Sequence, residues 1–207
     1  VMGRLFDREQ RNNGGSLRRH GGAGRSGKSA GKQGPSLNRM SRVGAKHGQA
    51  IFKLVRTGGV DSKSGLKGQL NYIFRDDKVA HVLDPSGIIG AHDDPSNKQI
   101  NRLVNELSDN WWAKTRNGQT SHMILSFPNG TSIKDVAEIV RDVCAEKFDS
   151  GDVKYKYVAA IHDDQEHHPH AHIVLNRRGS DNTLFNMRRG TDHSYEGFRE
   201  AMAAHAE

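Results

Sequence analysis

One cysteine and five prolines stand among 207 residues, and aromatic side chains make up only 6% of the chain. A lone thiol, Cys144, cannot close an internal disulfide, so the fold has to hold without covalent cross-links. Lying on a helical stretch, Cys144 reads as a small core residue. No apolar run approaches the roughly 20 residues that a membrane-spanning helix needs. The polar, glycine-rich beginning lacks the apolar centre of a secretory signal. These absences argue against a helical membrane protein and a disulfide-built secreted scaffold, and the expectation is a cytoplasmic protein. Acidic residues are scarce in one place only. Residues 1–50 hold eleven Lys/Arg and two Asp/Glu, a net of +9, whereas residues 51–207 hold twenty and twenty-two, a net of −2. A basic segment beside a near-neutral domain suits contact with a polyanion, most simply nucleic acid.

Residues 1–48 contain eleven glycines and show neither helical nor strand periodicity. They read as a basic, Gly-rich arm, disordered or loosely docked. Gly22 to Ser29 spell a phosphate-loop pattern, but no buried strand precedes them and no helix follows, so the pattern lacks the framework that makes it bind phosphate. The folded domain is expected over 49–207. Ala50 to Val55 reads as a strand. Residues 62–75 read as a helix with Leu66, Leu70, Ile73 and Phe74 on one face and Tyr72 off that stripe. A short strand is expected over Val79–Leu83. Pro95 to about Ser108 suggests a helix with Ile100, Leu103, Val104 and Leu107 inward, with Trp111 and Trp112 continuing the helical packing. Ser121–Phe127 is a strand. Ser132 and Asp135 mark a capped helix running to about Phe148, with Val136, Ile139, Val140 and Val143 inward. Strands over Tyr155–His162 and Ala171–Asn176 and a helix from about 193 to 206 complete the reading. Strands interleaved with helices give an α/β fold, a single largely antiparallel sheet flanked by helices.

Five of the twelve histidines fall between His162 and His172. Side chains two apart on a strand share a face, so His170 and His172 point together while Ala171 turns away. His162 ends the preceding strand and can meet them across the turn. Three neutral imidazoles converging on one point form a divalent-metal site that leaves positions open for substrate. Imidazole donors accept Zn²⁺ or Ni²⁺ as well as Mg²⁺ or Mn²⁺. Such a site serves a hydrolase using bound water or a transesterase using a protein nucleophile. Phenols ionise near pH 10, so an attacking tyrosine needs a base or strong electrostatic help. Spacing does not choose among Tyr72, Tyr155, Tyr157 and Tyr195.

Three blocks carry a resemblance to a known family. Ile161 to Arg178 (IHDDQEHHPHAHIVLNRR) resembles the histidine motif of the conjugative relaxases. These belong to the HUH endonucleases, in the branch that includes the agrobacterial T-DNA border endonuclease. Ser121 to Ser132 (SHMILSFPNGTS) resembles the family's second motif, and Gln69 to Ile73 (QLNYI) its tyrosine motif. The blocks occur in family order over roughly residues 50–200. The arm has no counterpart, and the position between the last two histidines is only Ala171.

The resemblance implies a site- and strand-specific DNA endonuclease acting at an origin of transfer. Tyr72 would be the nucleophile, forming a covalent 5′-phosphotyrosyl link. His162, His170 and His172 would hold the metal. Asp164 would orient a ligand histidine or take a proton. Ser126 would contact the DNA, and Arg177 and Arg178 would meet its phosphates. It implies single-stranded DNA, accessory relaxosome proteins and a secretion-system coupling protein as partners, with the protein translocated alongside its DNA. The alternatives are a metal-dependent phosphodiesterase using activated water, a DNA-binding module with a structural metal, and a replication-initiator nuclease.

Overall fold

Hydroxyl caps start the helices of this protein. In the computed structural model, which describes residues 50–75, 79–92, 94–163 and 168–206, the Ser62 side chain accepts from Gly65 N and opens α1, Lys63–Ile73. Ser96 and Gln99 cap each other reciprocally at the start of α2, Asn97–Leu107. Ser132 accepts from Asp135 N to open α3, Ile133–Cys144, which runs into a single wider turn over Ala145–Asp149. Ser194 opens α4, Tyr195–Ala204. Each cap satisfies a backbone N–H that the helix cannot bond internally, which contributes about 1 kcal/mol. The arm over 1–48 and its phosphate-loop pattern lie outside the described residues, as do Asp164, Glu166 and His167.

Five strands form one antiparallel sheet: β1 Ile51–Leu54, β2 Val79–Leu83, β3 Thr120–Ser126, β4 Tyr157–His162 and β5 His170–Asn176, in the spatial order β1-β3-β5-β4-β2. Strand alternation sorts the central side chains between two faces. Ala171, Ile173 and Leu175 of β5 join Met123, Leu125, Ala159 and Ile161 in a core closed by α3 and α4. Val158, Ala160 and Val174 point the other way, into a second core closed by Leu66, Leu70 and Ile73 of α1 and Ile100, Leu103, Val104 and Leu107 of α2. Leu66, Leu70 and Ile73 are fully buried. Removing any one of these side chains would cost roughly 2–5 kcal/mol in transfer and cavity energy.

The expected elements are present with shifts at their ends. β4 begins at Tyr157 rather than Tyr155, and Ser96 rather than Pro95 sets the start of α2. Trp111 and Trp112 correct one expectation: α2 stops at Leu107, and both tryptophans lie in the following irregular segment. Ser108 ends the helix by bonding its hydroxyl back to the Val104 carbonyl at 2.6 Å, a side-chain bond that competes with continuing the helix. Trp111 then donates to Asn176 Oδ1 at 3.0 Å, whereas Trp112 is 71% exposed.

Candidate metal centre and its tyrosine

The histidines meet because of strand register. β4 and β5 pair antiparallel with His162 directly opposite His170, and His172 lies two residues further on the same face. The three ring centroids are 5.1, 4.9 and 5.1 Å apart. One ring nitrogen from each lies within 4.8 Å of the others.

Hydrogen bonds divide the roles of the ring nitrogens. His162 Nε2 donates to the Ile73 carbonyl at 2.7 Å. His170 Nδ1 donates to the His168 carbonyl at 2.9 Å. A neutral imidazole has one N–H and one lone pair. These bonds therefore assign the lone pairs to Nδ1 of His162 and Nε2 of His170. The third ring has a partner that the motifs did not indicate: His122 Nε2 lies 2.9 Å from His172 Nδ1. When His172 presents Nε2 as a donor, its Nδ1 carries the proton and gives it to His122. All three imidazoles thus have one nitrogen held by the protein and one lone pair to offer, the arrangement that orients metal-binding histidines. The donor set fits a divalent cation.

Burial keeps the inner rings neutral. Desolvation lowers the His122 pKa to about 4. Desolvation, then the neighbouring His122, His162 and His170 and the Arg75 cation, lowers that of His172 to about 3. Neutral rings are the ones that ligate. His122 is placed by a close backbone approach: a Cβ on Gly58 would stand 2.5 Å from the His122 Cβ. Gly58 is fixed in turn by Gln69 of α1, which donates to its carbonyl at 2.7 Å.

Tyr72 stands at this centre. It lies one residue before Ile73 on the last turn of α1, is 47% exposed, and meets His172 and His122 edge-on at centroid separations of 5.7 and 6.1 Å. The Arg75 guanidinium lies 4.6 Å from the Tyr72 ring centroid, a cation beside the phenol that no sequence motif pointed to. The other tyrosines are elsewhere. Tyr155 and Tyr157 pack against the core beneath α3 and α4, and Tyr195 packs edge-on against Phe52 of that core. Ser126 pairs with His170 across β3 and β5, so strand alternation puts its hydroxyl on the histidine face. Residues 72–206 match the family profile described as "Relaxase: MobA/VirD2-like, nuclease domain".

The chain belongs to that family. This relaxase nuclease domain is 31% identical over 176 residues to the T-DNA border endonuclease VirD2 of Rhizobium radiobacter, which covers 75% of the chain and 38% of the relative. The VirD2 of Rhizobium rhizogenes is 32% identical over 149 residues, 63% of the chain and 31% of that protein. The chain thus spans about a third of the length of the curated relatives it matches. A solved chain from "Molecular Basis of Vancomycin Resistance Transfer in Staphylococcus aureus" aligns with a TM-score of 0.46 at 16% identity, over 76% of this chain and 90% of that one.

Arg177 and Arg178 of the relaxase domain sit past the far end of β5 from His170. Both are buried, at 6% and 4% exposure. Arg177 spends its guanidinium on the carbonyls of Phe185 and Gly118, at 2.9 to 3.2 Å. Arg178 bonds the Ala113 carbonyl and lies 4.4 Å from the Trp112 ring centroid. The structure therefore brings Tyr72, His162, His170, His172 and Ser126 to one face and leaves the two arginines outside that group. Asp164 lies outside the described residues.

Proposed function

We propose that this domain nicks one strand of DNA by transesterification at an origin of transfer, with Tyr72 as the nucleophile. The supporting observation is that, of the four tyrosines, Tyr72 is the one that stands beside the histidine triad with its ring partly open to solvent. In this reading the Tyr72 oxygen bonds to phosphorus and the P–O3′ bond breaks. The nucleophile loses its proton as the leaving 3′-oxygen gains one. The product is a 5′-phosphotyrosyl adduct and a free 3′-hydroxyl, and the bond energy kept in the adduct allows the same site to rejoin the strand.

His162, His170 and His172 would hold a divalent cation, Mg²⁺ or Mn²⁺ in cells, which would supply charge neutralisation at a non-bridging oxygen of the scissile phosphate. Every other part is played by this chain. Arg75 brings a second positive charge to the same phosphate. Asp164 serves as the proton acceptor or orients a ligand ring. Ser126 donates to the strand beside the nick. Arg178 steadies the Trp112 ring that it backs, and Arg177 holds the 115–118 turn and the 185–186 segment together. The partners are single-stranded DNA, accessory proteins at the origin and a coupling protein of a secretion system. The compartment is the bacterial cytoplasm, from which the protein leaves with its DNA. Among the described residues no helix is long and apolar enough to cross a membrane.

Incubating the protein with end-labelled single-stranded origin DNA and Mn²⁺ tests the reading on a denaturing gel. The expected result is a covalently shifted protein band that EDTA removes and Tyr72→Phe abolishes. Cleavage that persists in Tyr72→Phe without an adduct would instead identify a phosphodiesterase using activated water.

A further inference from the structure

Away from the histidines, at the opposite end of α1, lies a cleft of about 260 Å³ between the start of that helix and the irregular segment after α2. Its lining includes Asp61, Lys63, Trp111, Trp112, Lys114 and Gln119. Among the described residues, Trp112 is the most exposed of the large apolar side chains, at 71%. An indole in water is costly unless something covers it, and while Trp111 is partly buried and bonded to Asn176, its neighbour is left outside. Trp112 is nevertheless held in place. Its Nε1 donates to Asn182 Oδ1 at 3.4 Å, and the buried Arg178 guanidinium backs one face of the ring at 4.4 Å. A fixed ring with a cation behind one face and the other face open is a stacking platform for a planar group.

The surroundings select what stacks there. The lining carries two lysines against one aspartate, and the Ser62-capped amino end of α1 adds its partial positive charge. Gln119 forms part of the wall. It is 3% exposed, its Nε2 is committed to the Ala113 carbonyl, and its Oε1 has no protein partner. An aromatic face beside cations for a phosphate, in a wall that holds a buried amide oxygen without a protein partner, matches a nucleotide.

We propose that this cleft is a second DNA subsite, in which Trp112 stacks one base of the same strand that Tyr72 cuts while Lys63 and Lys114 meet the adjoining phosphate. The proposal rests on the reading that the domain acts on single-stranded DNA. Ser62 and Tyr72 are ten helical positions apart, about 15 Å at 1.5 Å per residue. At 3.4 Å per stacked nucleotide, the subsite serves a base about four nucleotides from the scissile phosphate.

The test uses the 207-residue chain, fluorescein-labelled single-stranded oligonucleotides extended stepwise on either side of the nick, and fluorescence anisotropy with tryptophan quenching as a second readout. In the wild type, affinity and quenching should step up together once one side reaches about four nucleotides. Trp112→Ala should lose that step and bind the longest oligonucleotide roughly five- to 150-fold more weakly, whereas Trp112→Phe should keep most of the affinity. A wild type that binds with no length step, or a Trp112→Ala variant that reproduces both the step and the quenching, overturns the subsite and leaves the nicking reading intact. A wild type that binds no oligonucleotide overturns both.

Discussion

Replacing His122 by alanine separates a support residue from the candidate metal ligand it holds, His172. His122 is buried at 6% exposure and His172 at 4%, so no water readily replaces the bond of 2.9 Å between them. Without it, the His172 Nδ1 proton is buried and unpartnered, a loss of about 1–3 kcal/mol. The ring can recover by turning or by moving its proton to Nε2, and either move removes the lone pair that binds metal. At 1.36 kcal/mol per decade, the same energy corresponds to roughly five- to 150-fold weaker metal binding, which overlaps the 10–100-fold typical for lost second-layer partners. Isothermal titration of the chelator-treated protein with Mn²⁺ or Co²⁺ reads this directly, without DNA. His122→Gln, which places an amide near the position of Nε2, should recover most of the affinity. Unchanged metal affinity in a folded His122→Ala protein would refute the reasoning.

Three further outcomes follow from the geometry. Gly58→Ala puts a methyl 2.5 Å from the His122 Cβ and should cost about 1–3 kcal/mol in urea unfolding, with weaker Mn²⁺ binding. In EDTA, His122 and His172, with pKa values lowered to about 4 and 3, bind fewer protons folded than unfolded. The stability they give is present above the unfolded value of about 6.5 and is lost as pH falls toward 4 and below, so the thermal midpoint should drop across that window and not change sharply between pH 7 and 8. If about six phosphates are neutralised, log affinity for single-stranded DNA should fall with log salt at a slope near −4, and deletion of residues 1–45 should flatten the slope if the arm adds contacts.

Local rules make much of the fold legible in the sequence. Period-3.6 stripes mark α1 to α3, and the alternation around Ala171 is enough to put His170 and His172 on one side of their strand. The sheet order is not legible, because which strands pair depends on long-range packing of faces that look alike in sequence. His122 escapes notice for a related reason. Residues 122, 124 and 126 alternate onto one face with Ser126, but only the β3–β5 register reveals that this face meets His172. The arginines at 177 and 178 look like surface cations in sequence. The carbonyls of the 113–118 segment and of Phe185 absorb them, and nothing local announces that. The two tryptophans look like an extension of α2, because apolar bulk after a helix does not reveal that Ser108 has turned its hydroxyl onto the backbone.

The bond from His162 to the Ile73 carbonyl joins two parts of the apparatus that are 89 residues apart in sequence. Carbonyls in the last turn of a helix have no partner further along it, and here the imidazole of His162, one of the three candidate ligands, supplies one. On the proposed function, fraying of that turn would release the His162 ring and swing the Tyr72 phenol away together. The order of the last turn of α1 and the aim of one triad imidazole are therefore set by the same contact.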